Sequence, residues 1–281
     1  MRRTIDGLSI NYIEAGEEHR GDEPLLLLLH GWGSRASLFD GVIRFASSRY
    51  HCLAPDMPGF GDSDEPGASM DVDDYVDFVL RFLADVAPDE REVILLGHSM
   101  GGRIIIKLCA RLHSGQDGET QAVTPADGRE AVFFSVPKVI LTDSAGVKPV
   151  QSKAQGARAA RYRVYKAVLG YTGIAKLFPG TMEALRRHFG SEDYRNATPV
   201  MRQTLVRVVN EDLTPYMPLV TQPALLIWGD LDTATPLSDA ARMEELMPEA
   251  GIAVISGAGH YSFLDAPAWY NSILGSFLNI K

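Results

Sequence analysis

The sequence predicts an α/β protein built on a mainly parallel sheet with helices on both faces. Three observations carry this reading. Several short runs are continuously apolar, as strands covered on both faces must be. The segments between them repeat apolar residues at intervals of three and four, the spacing of an amphipathic helix. The two kinds of segment alternate along the chain.

Taken in order, TIDGLSINYIE at 4–14 consists of two short alternating runs joined through Asp6-Gly7, a hairpin signal. LLLLLH at 25–30 is the first fully apolar run. CLAP (52–55), EVILLG (92–97), KVILTD (138–143), PALLIWGD (223–230) and IAVISG (252–257) repeat its character. Met70 to Val86 places Val72, Tyr75, Val76, Val79, Leu80 and Leu83 at helical spacing. Two stretches break the alternation. Residues 113–131 are polar and rich in Gly and Thr, and read as a long surface excursion. Residues 147–217 hold helical runs interrupted at Gly170, Gly173, Pro179-Gly180 and Gly190, and read as a helical insertion.

At 281 residues, the chain can form one large core or a core with a small accessory domain. A net charge of −9 argues against nucleic acid as a partner, because an acidic surface repels phosphate. Ser144 to Met182 runs against that balance, with no acidic residue and seven basic ones: Lys148, Lys153, Arg158, Arg161, Arg163, Lys166 and Lys176. Such a run is a solvated helix face or a lure for anionic substrates. Cys52 and Cys109 fall in apolar segments without metal-ligand spacing, as reduced buried thiols would. MRR at the start is followed by the polar TIDGLSINY, so no secretory or membrane segment is expected; a cytoplasmic protein without a membrane partner is.

The chemistry concentrates at strand ends. Gly97-His98-Ser99-Met100-Gly101 fits G-x-S-x-G, with a strand before it and the helix-compatible GRIIIKLCARL after it. A serine on such a turn projects its hydroxyl above the sheet, and the helix behind it aims free N–H groups at developing negative charge. The hydroxyl needs a base, and the base needs an orienting acid. His260 in SGAGHYSFLDAP follows the last apolar run, and Asp232 in WGDLDTATP follows PALLIW, so Ser99, Asp232 and His260 all fall where catalytic groups gather. Asp143 in ILTDSAG, at the end of the preceding strand, is the competing acid; with Asp232 as the acid, Asp143 reads as a strand-end hydrogen-bonding partner and Asp230 as a turn former. HGWG at 30–33 permits a bend that turns an N–H toward the serine, so the amides of Trp32 and Met100 are the expected oxyanion donors. His30, Gly31 and His98 are expected to line the site, with both histidines too close to their own strand ends to serve as the base.

Together these residues resemble the α/β-hydrolase superfamily, and the likeness spans nearly the whole chain: HGWG, DMPGFGDSD (56–64), GHSMGG, WGDLDTATP and GAGH, in that order. The resemblance implies a mostly parallel, eight-stranded core formed by 1–146 and 218–281, with a helical cap at 147–217. DMPGFGDSD is similar to the superfamily's loop that shapes the pocket floor. The polar stretch 113–131 is longer than the usual connection there. A serine at 99 departs from the superfamily's dehalogenases and epoxide hydrolases, which use aspartate, and HGWG lacks the consecutive glycines of the HGGG loop.

The leading expectation is a cofactor-free, metal-free serine hydrolase of the carboxylesterase type, acting on small or medium carboxylic esters through an acyl-enzyme. Two alternatives stand beside it. One keeps the triad but cleaves carbon–carbon bonds of anionic ring-fission diketones. The other is a ligand receptor that retains the scaffold without turnover. Tyr162, Tyr165, Leu169, Phe178 and Met182 are candidates for a cap cleft or for buried helix faces.

Overall fold

All five leucines of one strand, β3 (Leu25–Leu29), are fully buried. Leu25, Leu27 and Leu29 belong to one apolar cluster and Leu26 and Leu28 to another, so the strand is covered on both faces. The computed structural model describes residues 1–114, 134–148 and 192–280. Around β3 lie β1 (Arg2–Ile5), β2 (Leu8–Ala15), β4 (Cys52–Pro55), β5 (Val93–His98), β6 (Val139–Thr142), β7 (Ala224–Gly229) and β8 (Ala250–Ile255). They form one eight-stranded sheet in the order β1-β2-β4-β3-β5-β6-β7-β8.

The β1–β2 and β2–β4 pairs are antiparallel, and every other pair is parallel. The hairpin between β1 and β2 turns through Asp6 and Gly7, with φ of 51° and 80°, the left-handed pair that a two-residue hairpin requires. Because β3 has β4 on one side and β5 on the other, the chain reverses its winding direction there. A crevice opens above the C-terminal ends of β3 and β5.

Helices fill both sides. On one face, α2 (Val72–Val86) and α3 (Met100–Ser114) supply Val76, Val79, Leu83, Ile104 and Leu108 to the first cluster. On the other, α1 (Asp40–Ala46) and the C-terminal helix bury Val42, Ile43, Tyr270, Leu274 and Leu278. Helix α2 begins with a reciprocal cap: Asp71 Oδ1 accepts from the Asp74 amide at 3.0 Å, and Asp74 Oδ2 from the Asp71 amide at 2.8 Å.

Of the expected helical insertion, 149–191 lies outside the described residues, with all of the basic run except Lys148 and all five candidate cleft residues. The described remainder forms α4 (Glu192–Asn196), α5 (Pro199–Asn210) and the start of a 3₁₀ turn, Thr214–Leu219. Helix α5 docks on the core through Met201 and Val208, and Thr204 Oγ1 accepts from the Met70 amide at 3.0 Å. The expected excursion at 113–131 overlaps the end of α3; its remainder, 115–131, lies outside the described residues. Helices α6 (Leu237–Leu246), α7 (Ser262–Asp265) and α8 (Pro267–Leu278) complete the described elements.

At the end of the sheet opposite the crevice, His51 is buried between two carboxylates. Its Nδ1 lies 2.9 Å from Glu90 Oε1 and its Nε2 lies 2.9 Å from Glu14 Oε1, with Arg20 bonded to the same Glu14 oxygen. Burial pushes the imidazole pKa down, but its hydrogen bonds to Glu90 and Glu14 outweigh it, and the net direction is up. A raised folded-state pKa means that the stabilisation is complete below the unfolded value of 6.5 and is lost as pH rises through the folded value. Chemical denaturation across that window is expected to show wild type losing stability, relative to His51→Gln, as pH increases.

Candidate active site

Ser99 stands between the end of β5 and the start of α3 with φ of 51°, a left-handed backbone that a non-glycine residue adopts only when its surroundings impose it. Those surroundings are specific. The Ser99 amide donates to Thr142 O at 3.2 Å, and Ser99 O accepts from the Gly102 and Ala145 amides at 3.1 and 3.0 Å. Helix α3 packs so close to β3 that a Cβ at Gly101 would stand 2.0 Å from Leu29 O, and one at Gly97 would stand 2.6 Å from the Gly101 carbonyl carbon. The two glycines of G-x-S-x-G are therefore a packing requirement of this turn.

The structure brings together the three residues that the sequence singles out. His260 Nε2 lies 3.1 Å from Ser99 Oγ, across 161 residues of chain, and His260 Nδ1 lies 2.8 Å from Asp232 Oδ2. Asp232 follows β7 and is buried. Its Oδ1 accepts from the Ala234 and Thr235 amides at 2.8 and 3.0 Å, and its Oδ2 from Thr235 Oγ1 at 2.7 Å. Burial pushes this carboxyl pKa up, yet the hydrogen bonds from His260 and Thr235 prevail and hold it below the ordinary carboxylate value. An ionised Asp232 keeps a proton on Nδ1 and leaves the Nε2 lone pair facing Ser99, the arrangement that can take up a hydroxyl proton.

His30 and His98 are both fully buried, and burial lowers the pKa of each, that of His98, with repulsion from His260, to about 3. The neutral His98 donates from Nε2 to His260 O at 2.7 Å, and its ring packs 4.9 Å from both the His260 and Tyr261 rings. His30 donates from Nδ1 to Gly31 O at 2.8 Å and accepts at Nε2 from the Met57 amide at 2.9 Å. Gly31 O also accepts from the Ser34 amide at 3.3 Å.

Because the peptide is planar and trans, a Gly31 carbonyl held on one side turns the Trp32 N–H to the other. This loop lies against the turn, since a Cβ at Gly31 would come 3.1 Å from Ser99 Cβ. Met100 N–H is one of the first-turn amides of α3, which have no partner within the helix. Among the described residues, neither the Trp32 nor the Met100 amide donates to a protein acceptor.

Three other polar groups hold the loops around the site, and Asp143 does so as the strand-end hydrogen-bonding partner that the sequence suggests. Asp230 is more than a turn former: it ties the β7 loop to the following turn, accepting from the Gly257 amide at 2.7 Å and from Ser256 Oγ at 3.1 Å. Asp143 is buried at the end of β6 and bonds two separate segments. Thr235 passed unnoticed, although an Asp followed at two and three residues by amides that bond back to it is a readable Asx turn.

DMPGFGDSD reaches the crevice through Phe60, whose ring meets Trp32 edge-on at 4.8 Å. Beside Trp32 lies a cavity of about 310 Å³ whose walls include Phe60, Glu65, Asp193, Asn196 and Met201. Cys52 and Cys109 are free, buried thiols, pushed up to about 12 by burial. Among the described residues, no group of three or more His, Cys, Asp or Glu is placed to hold a metal ion, and no helix is long and apolar enough to cross a membrane.

Residues 26–273 match the alpha/beta hydrolase family model, and the chain belongs to that family. It is 25% identical over 268 residues to 2-(acetamidomethylene)succinate hydrolase of Mesorhizobium japonicum, covering 93% of this chain and 89% of that protein. It is 27% identical over 258 residues to pimeloyl-[acyl-carrier protein] methyl ester esterase of Nitrosomonas europaea, covering 91% and 96%. The enol-lactonase of Burkholderia xenovorans LB400 shares the fold, with a TM-score of 0.67 at 20% identity over 99% of this chain and all of that one. The protein is thus a hydrolase of the α/β fold.

The close packing of α3 on β3 is itself testable. Gly101→Ala forces a methyl into the Leu29 carbonyl, and thermal melting is expected to report a loss of about 1–3 kcal/mol.

Proposed function

We propose that this protein is a serine hydrolase that cleaves small or medium carboxylic esters through an acyl-enzyme. The observation that carries the reading is the unbroken hydrogen-bond chain from Ser99 Oγ through His260 to Asp232, with the serine raised on a left-handed turn. In this reading Ser99 Oγ attacks the ester carbonyl carbon and its proton passes to His260 Nε2. The Trp32 and Met100 amides receive the oxyanion, each contributing about 2.7–4 kcal/mol. When the tetrahedral intermediate collapses, the alcohol leaves with the proton from Nε2 and the acyl group stays on Ser99. Water then attacks the acyl carbon, delivers a proton to Nε2, and the acid departs as Ser99 regains its hydrogen. Asp232 stabilises the imidazolium in both halves and holds its tautomer.

The ester chemistry named for the Nitrosomonas europaea relative supports the choice of bond. The described cavity wall supports it over an anionic diketone, because Glu65 and Asp193 line it and no described basic residue does. The free buried thiols suit a reducing, cytoplasmic setting.

The direct test is steady-state hydrolysis of p-nitrophenyl esters from acetate to decanoate. Wild type is expected to show a turnover maximum at one chain length, and Ser99→Ala to lose about 10⁴-fold or more in kcat while keeping its fold. Full activity in the variant overturns the mechanism. The charge of the cavity has its own signature. At low salt, the double variant Glu65→Gln, Asp193→Gln is expected to raise kcat/KM for an anionic hemisuccinate ester about 2–5-fold more than for the neutral acetate, and the difference is expected to vanish at high salt.

A further inference from the structure

The segment that carries His260 is gripped on both flanks by side chains outside the Ser99–His260–Asp232 chain. On one flank His98 donates to the His260 carbonyl. On the other stands Asp143, fully buried in a left-handed backbone (φ 44°) at the end of β6. Its Oδ1 accepts from the Gly229 amide at 2.9 Å, at the end of β7, three residues before Asp232. Its Oδ2 accepts from the Ser262 amide at 3.0 Å and from Ser262 Oγ at 2.6 Å, two residues beyond His260. Its carbonyl oxygen lies 3.0 Å from Thr235 Oγ1, the hydroxyl that also contacts Asp232 Oδ2 at 2.7 Å and His260 Nδ1 at 3.2 Å. One residue just past β6 thus touches both segments that meet in the Asp232–His260 bond.

We propose that Asp143 is a positioning residue for hydrolysis, its single carboxylate setting the spacing between Asp232 and His260 by holding the end of β7 and Ser262 at once. The proposal rests on the serine-hydrolase reading of the site. The donor set demands an ionised carboxylate: three hydrogens converge on it from two amides and one hydroxyl, and only an acceptor-only group satisfies all three. Burial pushes the Asp143 carboxyl up to about 6, against the pull of the Ser262 and Gly229 hydrogen bonds, so near neutral pH it is ionised and matches its donors. Asparagine is nearly isosteric but must turn an NH₂ group toward one of the two amide hydrogens. That leaves donor facing donor in a buried site and loosens one of the two grips. The reacting groups themselves stay untouched, so binding is preserved while alignment is lost.

A fluorophosphonate probe tests this without any knowledge of the substrate. Ser99 Oγ bonds to phosphorus, fluoride leaves, and the serine proton goes to His260, so the maximal labelling rate kinact reports the alignment of the base and the half-saturating concentration KI reports binding. With Asp143→Asn, kinact is expected to fall about 10–100-fold, with KI within about twofold of wild type, at a temperature well below both melting points. Ser262→Ala, which removes only the hydroxyl, is expected to lower kinact in the same sense by a smaller factor. A folded Asp143→Asn with wild-type kinact, or one in which only KI changes, overturns the proposal; should that variant fail to fold, wild-type kinact in Ser262→Ala does the same. Wild-type protein that is not labelled at all overturns the serine-hydrolase reading, and the proposal with it.

Discussion

The approach of helix α3 to strand β3 is the constraint from which the rest of the site follows. With a bare Cα at Gly101 against the Leu29 carbonyl, the helix begins immediately behind Ser99, and the backbone has to turn through a left-handed residue to reach it from β5. That turn lifts the serine hydroxyl out of the sheet, leaves the Met100 amide free at a helix start, and sends the Ser99 carbonyl down to the Gly102 and Ala145 amides. The strain of the turn, about 1–3 kcal/mol, is borne by these bonds and by the packing beneath them.

A second layer of the structure converts this one raised residue into an assembly. Neutral, buried imidazoles act here as rigid hydrogen-bonding struts: His30 orients the Gly31–Trp32 peptide and His98 anchors the main chain of His260. Burial lowers the pKa of both, and His98 in particular packs against the His260 ring as a hydrogen-bond donor to its carbonyl. The carboxylates divide in the same way. Asp232, fed by His260 and Thr235, is held ionised beside the imidazole, whereas Asp143, with no contact to the ring, holds the surrounding backbone.

The central strands were legible because burial on both faces writes itself as an uninterrupted apolar run: CLAP coincides with β4, and LLLLLH with β3 up to its final His30, whereas IAVISG overlaps a half-exposed edge strand that begins and ends two residues earlier. The hairpin was legible because Asp-Gly is the local answer to a local backbone demand. Ser99, Asp232 and His260 were nameable because each follows a recognisable strand. The supporting bonds were not, since they join residues far apart in the chain, as His98 to His260 or Asp143 to Ser262, and no local pattern records which distant amide a side chain meets. Charge was legible only in part: the basic run between Ser144 and Met182 reads as a solvated helix face or a lure for anionic substrates and, past Lys148, lies outside the described residues, while the carboxylates on the described cavity wall come from Glu65 and Asp193, which nothing in their own neighbourhoods marks as close.

The separation of 161 residues between Ser99 and His260 also has a consequence in time. The strand and turn that present the serine can form early in synthesis, since β3, β4, β5 and α3 are all encoded before residue 115. The imidazole that pairs with it is translated later by about 10–30 s at ordinary elongation rates. For that interval the nascent chain carries Ser99 without His260. In the mechanism proposed above, the serine therefore gains its base only after β8 has been translated, and reactivity belongs to the nearly finished chain.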